Sequence, residues 1–193
     1  MRDNESHIID EILNGRTFRY EYFVETYSRQ VFATIVRIID KPEDAEELTQ
    51  DVFMKAFENL SSFNGKSTFA TWLYRIAYNT AISAARRSVP VESLIDDRQL
   101  TLISDNAVDE ALDDDSEEQI EKLNDAIARL SADERALVNM FYMEEQSVSD
   151  IAYITGLSVP NAKTKLHRVR KKLYLLMTET KKIWQERHMT TRL

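Results

Sequence analysis

Across residues 18–88 and 119–177, apolar side chains recur every three or four positions. Of the regular backbone structures, only the α-helix buries such a pattern on one face. Phe23, Tyr27, Val31, Ile35 and Ile38 set the rhythm for a helix expected over about residues 18–39. Three glycines and three prolines are too few for the tight turns of an all-β fold or for a glycine-rich nucleotide loop. The absence of cysteine excludes disulfides, thiolate nucleophiles and cysteine-ligated metals. His7, His167 and His188 stand at no ligand spacing, so neither a metal site nor a cofactor is expected. No apolar run reaches the roughly 18 residues of a membrane span. Residues 1–7 lack the basic start and apolar core of a signal peptide. These features describe a soluble, intracellular, all-α protein with no membrane insertion.

The net charge of −8 is distributed unevenly. Residues 1–88 carry 11 Lys/Arg against 13 Asp/Glu, and residues 89–118 carry one Arg against 11 acids. Residues 119–193 reverse the balance, with 13 Lys/Arg against 9 acids. The acidic segment has no sustained apolar period and reads as a self-repelling, extended linker. The expected organisation is two small helical domains, 1–88 and 119–193, joined by the acidic linker 89–118.

In the first domain, Ile8, Ile9, Ile12 and Leu13 mark a short helix that stops near Gly15. Asp40, Pro42 and Glu43 read as the start of another helix, reaching about Leu60, with Ala45, Leu48, Val52, Met54, Ala56 and Leu60 inward. Its polar face holds Glu43, Asp44, Glu46, Glu47, Gln50 and Asp51. The helix dipole accounts for acids in the first turn, but less well for Glu47 and Asp51 farther along. Phe53 and Phe57 suit either the core or a partner-binding stripe. A loop follows at Phe63, Asn64, Gly65, Lys66, Ser67 and Thr68, with Ser67 placed to cap the next helix. That helix, about residues 69–87, turns Phe69, Trp72, Leu73, Ile76, Ala77 and Thr80 inward. Thr71, Arg75, Asn79 and Arg86, with Arg87 beyond and Tyr74 and Tyr78 nearby, make another face. Aromatics stack on unpaired bases, cations hold phosphates and an amide reads a base edge. Such faces also occur between proteins.

In the second domain, Ser131 and Glu134 are spaced as a capping box, and Ser147 opens a short helix carrying Ile151, Ala152 and Ile154. Gly156 makes the turn, and Ser158 caps a longer helix running to about Met177. This is the helix-turn-helix order. From Ser158 to Met177 the chain has Lys163, Lys165, Arg168, Arg170, Lys171 and Lys172 and no acid. Val159, Asn161, Ala162, Lys163 and Lys165 are placed for the major groove, with Arg168, Lys171 and Lys172 leaning on the backbone. His167 fits a phosphate contact better than a metal ligand.

Both halves together resemble one family. The run from Pro42 to Phe53, the run from Phe63 to Asn79, and Leu166 to Leu173 within a helix-turn-helix are similar to bacterial RNA polymerase sigma factors of the extracytoplasmic-function (ECF) class. Trp72 followed by Leu73, in place of two adjacent tryptophans, is in keeping with that class. The resemblance implies that the acidic helix docks on core RNA polymerase through Glu47, Gln50 and Asp51, with Phe53 or Phe57 beside them. It implies that Phe63, Asn64, Gly65, Lys66 and Ser67 pocket a flipped base of the −10 promoter element. Trp72, Arg75, Asn79, Arg86 and Arg87 would flank the opened strand. Ser158, Asn161, Lys163, Lys165, His167, Arg168, Lys171 and Lys172 would meet the −35 duplex. The implied protein is a cytoplasmic promoter-specificity subunit, monomeric when free, with an anti-sigma factor as a further partner.

The alternative is a stand-alone helix-turn-helix transcriptional regulator, expected to be a dimer on a palindromic site. It leaves the acidic helix and the loop at 63–68 without a role. An enzyme is not expected, because the carboxylates lie on what reads as one exposed helix face without a His or Cys partner.

Overall fold

The computed structural model describes residues 2–39, 41–88, 100–112 and 116–190; for residues 2, 3, 87, 88 and 180–190 only the backbone path is described. Among these residues there is no strand. The helices are α1 Arg2–Leu13, α2 Glu21–Ile38, α3 Glu43–Glu58, α4 Phe69–Ser88, α5 Asp105–Leu112, α6 Glu117–Ala128, α7 Ala132–Val138, α8 Val148–Thr155 and α9 Val159–Thr190. Short 3-10 turns at Thr17–Tyr20 and Leu60–Ser62 precede α2 and follow α3, and a π-helical turn at Asn139–Met143 extends α7.

Local chemistry explains most boundaries. Gly15, with φ of 97°, ends α1 in a left-handed conformation that other residues resist. The α4 cap is Thr68, whose Oγ1 accepts from the Thr71 N–H at 3.0 Å, rather than the expected Ser67, whose hydroxyl donates to the Thr68 carbonyl. The capping box at Ser131 forms as the sequence indicates. Ser147 Oγ accepts from the Asp150 N–H and opens α8, as the sequence indicates. Gly156, at φ of 73°, makes the tight turn into α9. The capping role expected for Asp40 lies outside the described residues.

Helices α2, α3 and α4 pack on one another around Phe23, Ile35, Val52, Phe69 and Leu73. Phe23 and Phe69 meet with ring centroids 4.0 Å apart, and Phe63 and Trp72 close the same aromatic cluster. Helices α6 to α9 enclose Leu130, Leu137, Ile151, Leu166 and Leu173.

Three expectations change. In α3, Met54, expected inward, is 61% exposed, while Phe53, which suited either core or stripe, is buried at 7% exposure. At 100° per residue Met54 lies about 200° from buried Val52, on the far side of the helix. The linker is not extended throughout: α5 falls within it, with Val108 buried. One heptad's worth of apolar signal was too short to register as a period. Helix α9 also runs past the expected end at Met177.

Candidate nucleic-acid interface

Helix α3 presents Glu47, Gln50, Asp51, Met54 and Glu58 along one side, a spacing of three and four that aligns them. Glu47 and Gln50 are exposed and Asp51 half-buried. Phe57 is partly exposed, its ring edge-on to Tyr20 at 5.0 Å. Phe53 does not share this surface: it points inward, and its carbonyl accepts from the Tyr20 hydroxyl at 2.8 Å. Met54 is the apolar side chain that takes its place.

A groove of about 530 Å³ separates α3 from α4. Asp51, Lys55 and Asn59 line it from α3, and Trp72, Arg75 and Asn79 from α4. Lys55 and Asn59 were not among the expected site residues; their i+4 and i+8 spacing from Asp51 was the available signal. Lys55 Nζ lies 3.3 Å from Thr80 Oγ1. Trp72 is mostly buried against Phe63 and Phe69 and offers the groove only an edge. The loop at 63–68 keeps Asn64, Gly65 and Lys66 exposed. Asn64 Oδ1 accepts from the Lys66 N–H at 3.2 Å, so this side chain shapes its own turn. Gly65 allows that turn with φ of 70°. The side chain of Arg87 lies outside the described residues.

In the second half, α8, Gly156 and α9 form the helix-turn-helix. Ser158, Asn161, Lys163, His167 and Arg168 are exposed on α9, and Lys165 is half-buried. Lys172 is not on this surface. It is 6% exposed, with Nζ at 2.8 and 3.0 Å from the two Glu134 carboxylate oxygens. A buried, paired lysine holds α9 to α7 and offers nothing to a phosphate. Burial alone raises the Glu134 pKa, but Lys172 and the Ser131 amide outweigh it and hold the carboxyl below its ordinary value.

The two halves pack against each other along a polar seam. Arg135 Nη2 donates to the Ile38 carbonyl at 2.7 Å, and Arg37 Nη1 to Asn139 Oδ1 at 2.9 Å. Glu144 accepts from Thr34 at 2.5 Å and from Asn139 at 2.8 Å. Burial and the Glu144 charge push the nearby Tyr74 phenol up to about 12. On α4, Tyr78 donates to Asp133 Oδ1 at 2.8 Å, and Arg86 reaches Asp133 Oδ2 at 3.4 Å. Burial first, then the Asp133 carboxylate, raises the Tyr78 pKa well beyond the usual range, so it remains a donor. Arg75 lies over the Tyr153 ring at 5.1 Å, and Thr71 Oγ1 is 3.4 Å from Asp150 Oδ1. Thus Thr71, Arg75 and Arg86, which share one face of α4, all contact the helix-turn-helix half.

Asp133→Ala leaves the buried Tyr78 hydroxyl without its acceptor, a loss of about 1–3 kcal/mol. Small-angle scattering of the variant is expected to show a larger radius of gyration than the parent. Identical profiles would mean that this contact does not hold the halves together.

Among the described residues no group of three or more His, Asp or Glu is placed to hold a metal ion, and no helix is long and apolar enough to cross a membrane. Residues 23–89 match the family model Sigma-70 region 2, and residues 120–173 match Sigma-70, region 4. The RNA polymerase sigma factor YlaC of Bacillus subtilis is 32% identical over 162 residues, covering 80% of this chain and 90% of YlaC. The ECF RNA polymerase sigma factor SigW of the same organism is 28% identical over 172 residues, covering 86% of this chain and 92% of SigW. The fold is shared with CnrH, solved with the cytosolic domain of CnrY, at a TM-score of 0.62 and 18% identity over 89% of this chain and 96% of that one. It is also shared with the sigma factor RpoE of Bartonella quintana, solved with the anti-sigma factor NepR, at a TM-score of 0.59 and 23% identity over 82% and 96% of the two chains. With both sigma regions present in order and aligned over most of their length, the chain belongs to the RNA polymerase sigma factors of the ECF class and is a promoter-recognition subunit.

Proposed function

We propose that residues 1–88 dock on core RNA polymerase and engage the −10 element, that residues 119–193 read the −35 duplex, and that residues 89–118 connect them. Docking uses Glu47, Gln50 and Asp51 on α3, with Met54 and Phe57 as the apolar part of the surface. The opened −10 strand lies in the groove between α3 and α4, where Arg75 and Lys55 meet phosphates and Asn79 meets a base edge. Asn64, Gly65 and Lys66 border the extruded base, since a base is readable once unstacked. Ser158, Asn161, Lys163, Lys165 and Arg168 on α9 meet the −35 element. The chain supplies no catalytic group; polymerisation belongs to the core enzyme. The setting is cytoplasmic, the free protein is a monomer, and an anti-sigma factor is a further partner, as for the sigma factor RpoE of Bartonella quintana.

The single observation that carries this reading is the pairing, on α3, of an exposed acidic stripe with a groove lined by cations, an amide and an aromatic edge. A stand-alone helix-turn-helix regulator has no use for either. Promoter binding also requires the seam to open. Packed helices lie about 8–10 Å apart, whereas elements centred at −10 and −35 are about 85 Å apart along duplex at 3.4 Å per base pair. Core polymerase, by holding each half separately, supplies the opening and the effective concentration that lets two modest contacts act as one.

The test is run-off transcription with purified bacterial core polymerase on a genomic fragment library. Discrete start sites that appear only when the chain is added are expected. A folded sample that neither binds core nor directs initiation would overturn the reading.

A further inference from the structure

Helix α5 lies on the cationic side of α9. Asp105 Oδ1 is 3.2 Å from Lys171 Nζ and 3.5 Å from His167 Nε2, and one turn later Asp109 Oδ1 accepts from Arg170 Nη2 at 2.6 Å. His167 and Lys171 continue, at i+4 spacing, the line begun by exposed Lys163. The two acids therefore sit at the far end of the row of side chains that faces the duplex. A carboxylate and a phosphate present the same oxygens to a guanidinium or an ammonium.

We propose that α5 is an internal competitor for duplex DNA: Asp105 and Asp109 occupy the positions on α9 that backbone phosphates take in the bound state. This rests on the reading of α9 as the −35 helix, and it adds Arg170 to the cations that meet phosphate. The anchor is slight. Val108 is buried in α5 and Leu100 just before it, with Leu112 half-buried, while a cleft of about 290 Å³ remains between α5, α6 and α9. A helix of 8 residues is unstable on its own, so α5 persists only while docked. Duplex phosphates displace it by mass action once core polymerase raises the local DNA concentration, and the free protein is kept off non-specific DNA.

The experiment measures binding of the full chain to a short random-sequence DNA duplex at low salt. Asp105→Asn with Asp109→Asn is expected to tighten binding about three- to tenfold, since the two carboxylates are solvent-facing and each of their three contacts, to His167, Arg170 and Lys171, is individually modest. Val108→Asp undocks α5 while adding a negative charge, and is also expected to tighten binding. Glu121→Gln with Asp125→Asn, which removes the same charge from exposed positions on α6, gives a smaller change. Equal gains from the two neutralised pairs, together with weaker binding by Val108→Asp, would overturn the competition and leave only bulk charge. No change in any variant that still binds DNA would also overturn it, without touching the assignment of α9. Failure of every form to bind duplex would overturn both.

Discussion

Glu134→Ala is expected to lower the unfolding free energy by about 3–5 kcal/mol, the range for removing one member of a buried ion pair. Two roles converge on this side chain. It accepts from the Ser131 N–H at 2.9 Å as the return half of the capping box, and it takes Lys172 Nζ on both oxygens. Truncation leaves the Ser131 N–H without its acceptor and strands an ammonium in a site where little of it reaches water. Glu134→Gln keeps an acceptor for the cap and removes the charge, so its loss should be smaller but still marked. Urea titration of the three proteins measures the series; equal midpoints would mean Lys172 finds water in solution. The pH dependence has a defined sign. In the folded protein the Glu134 carboxyl is held below its ordinary value of 4.5, so the contribution is complete above about that pH and fades as pH falls through the lowered folded value.

Asp51→Arg is expected to weaken binding to core RNA polymerase by about a hundredfold or more, because reversing a charge at a docking face replaces attraction with repulsion. The half-buried site tolerates a long side chain at its solvent edge, so the fold should persist, as circular dichroism would record. Asp51 also borders the groove assigned to the opened strand, so it alone does not separate docking from DNA binding. Glu47 is exposed on the docking side and does not line the groove, which makes Glu47→Arg the cleaner partner experiment. Both variants losing core affinity supports the stripe; Glu47→Arg binding as wild type would confine docking to fewer residues.

Much of this architecture is legible residue by residue. The apolar period of α2, the box at Ser131 and Glu134, the turn at Gly156 and the helix-turn-helix order depend on side chains within one or two turns of each other. Other features misled because their signal is short or ambiguous. Phe53 and Met54 are adjacent apolar residues, and only the angular position on α3 separates core from surface. The lone buried Val108 gives α5 too little pattern to distinguish it from a tether. Lys55 and Asn59 pass as ordinary polar positions until α4 forms the other wall of the groove.

The sequence alone determined most of the helices, the capping box at Ser131, the charge imbalance and the family, because each is written in short-range spacing or in motif residues. Only the tertiary structure decided which charges are available. Lys171 and Lys172 are neighbours of one type, yet one meets an acid of the connecting segment and the other is sealed against Glu134. Arg75 and Arg86, expected at DNA from their face on α4, are engaged across the seam by Tyr153 and Asp133. A cation's partner is fixed by which distant segment packs beside it, and helical periodicity carries no information about that choice.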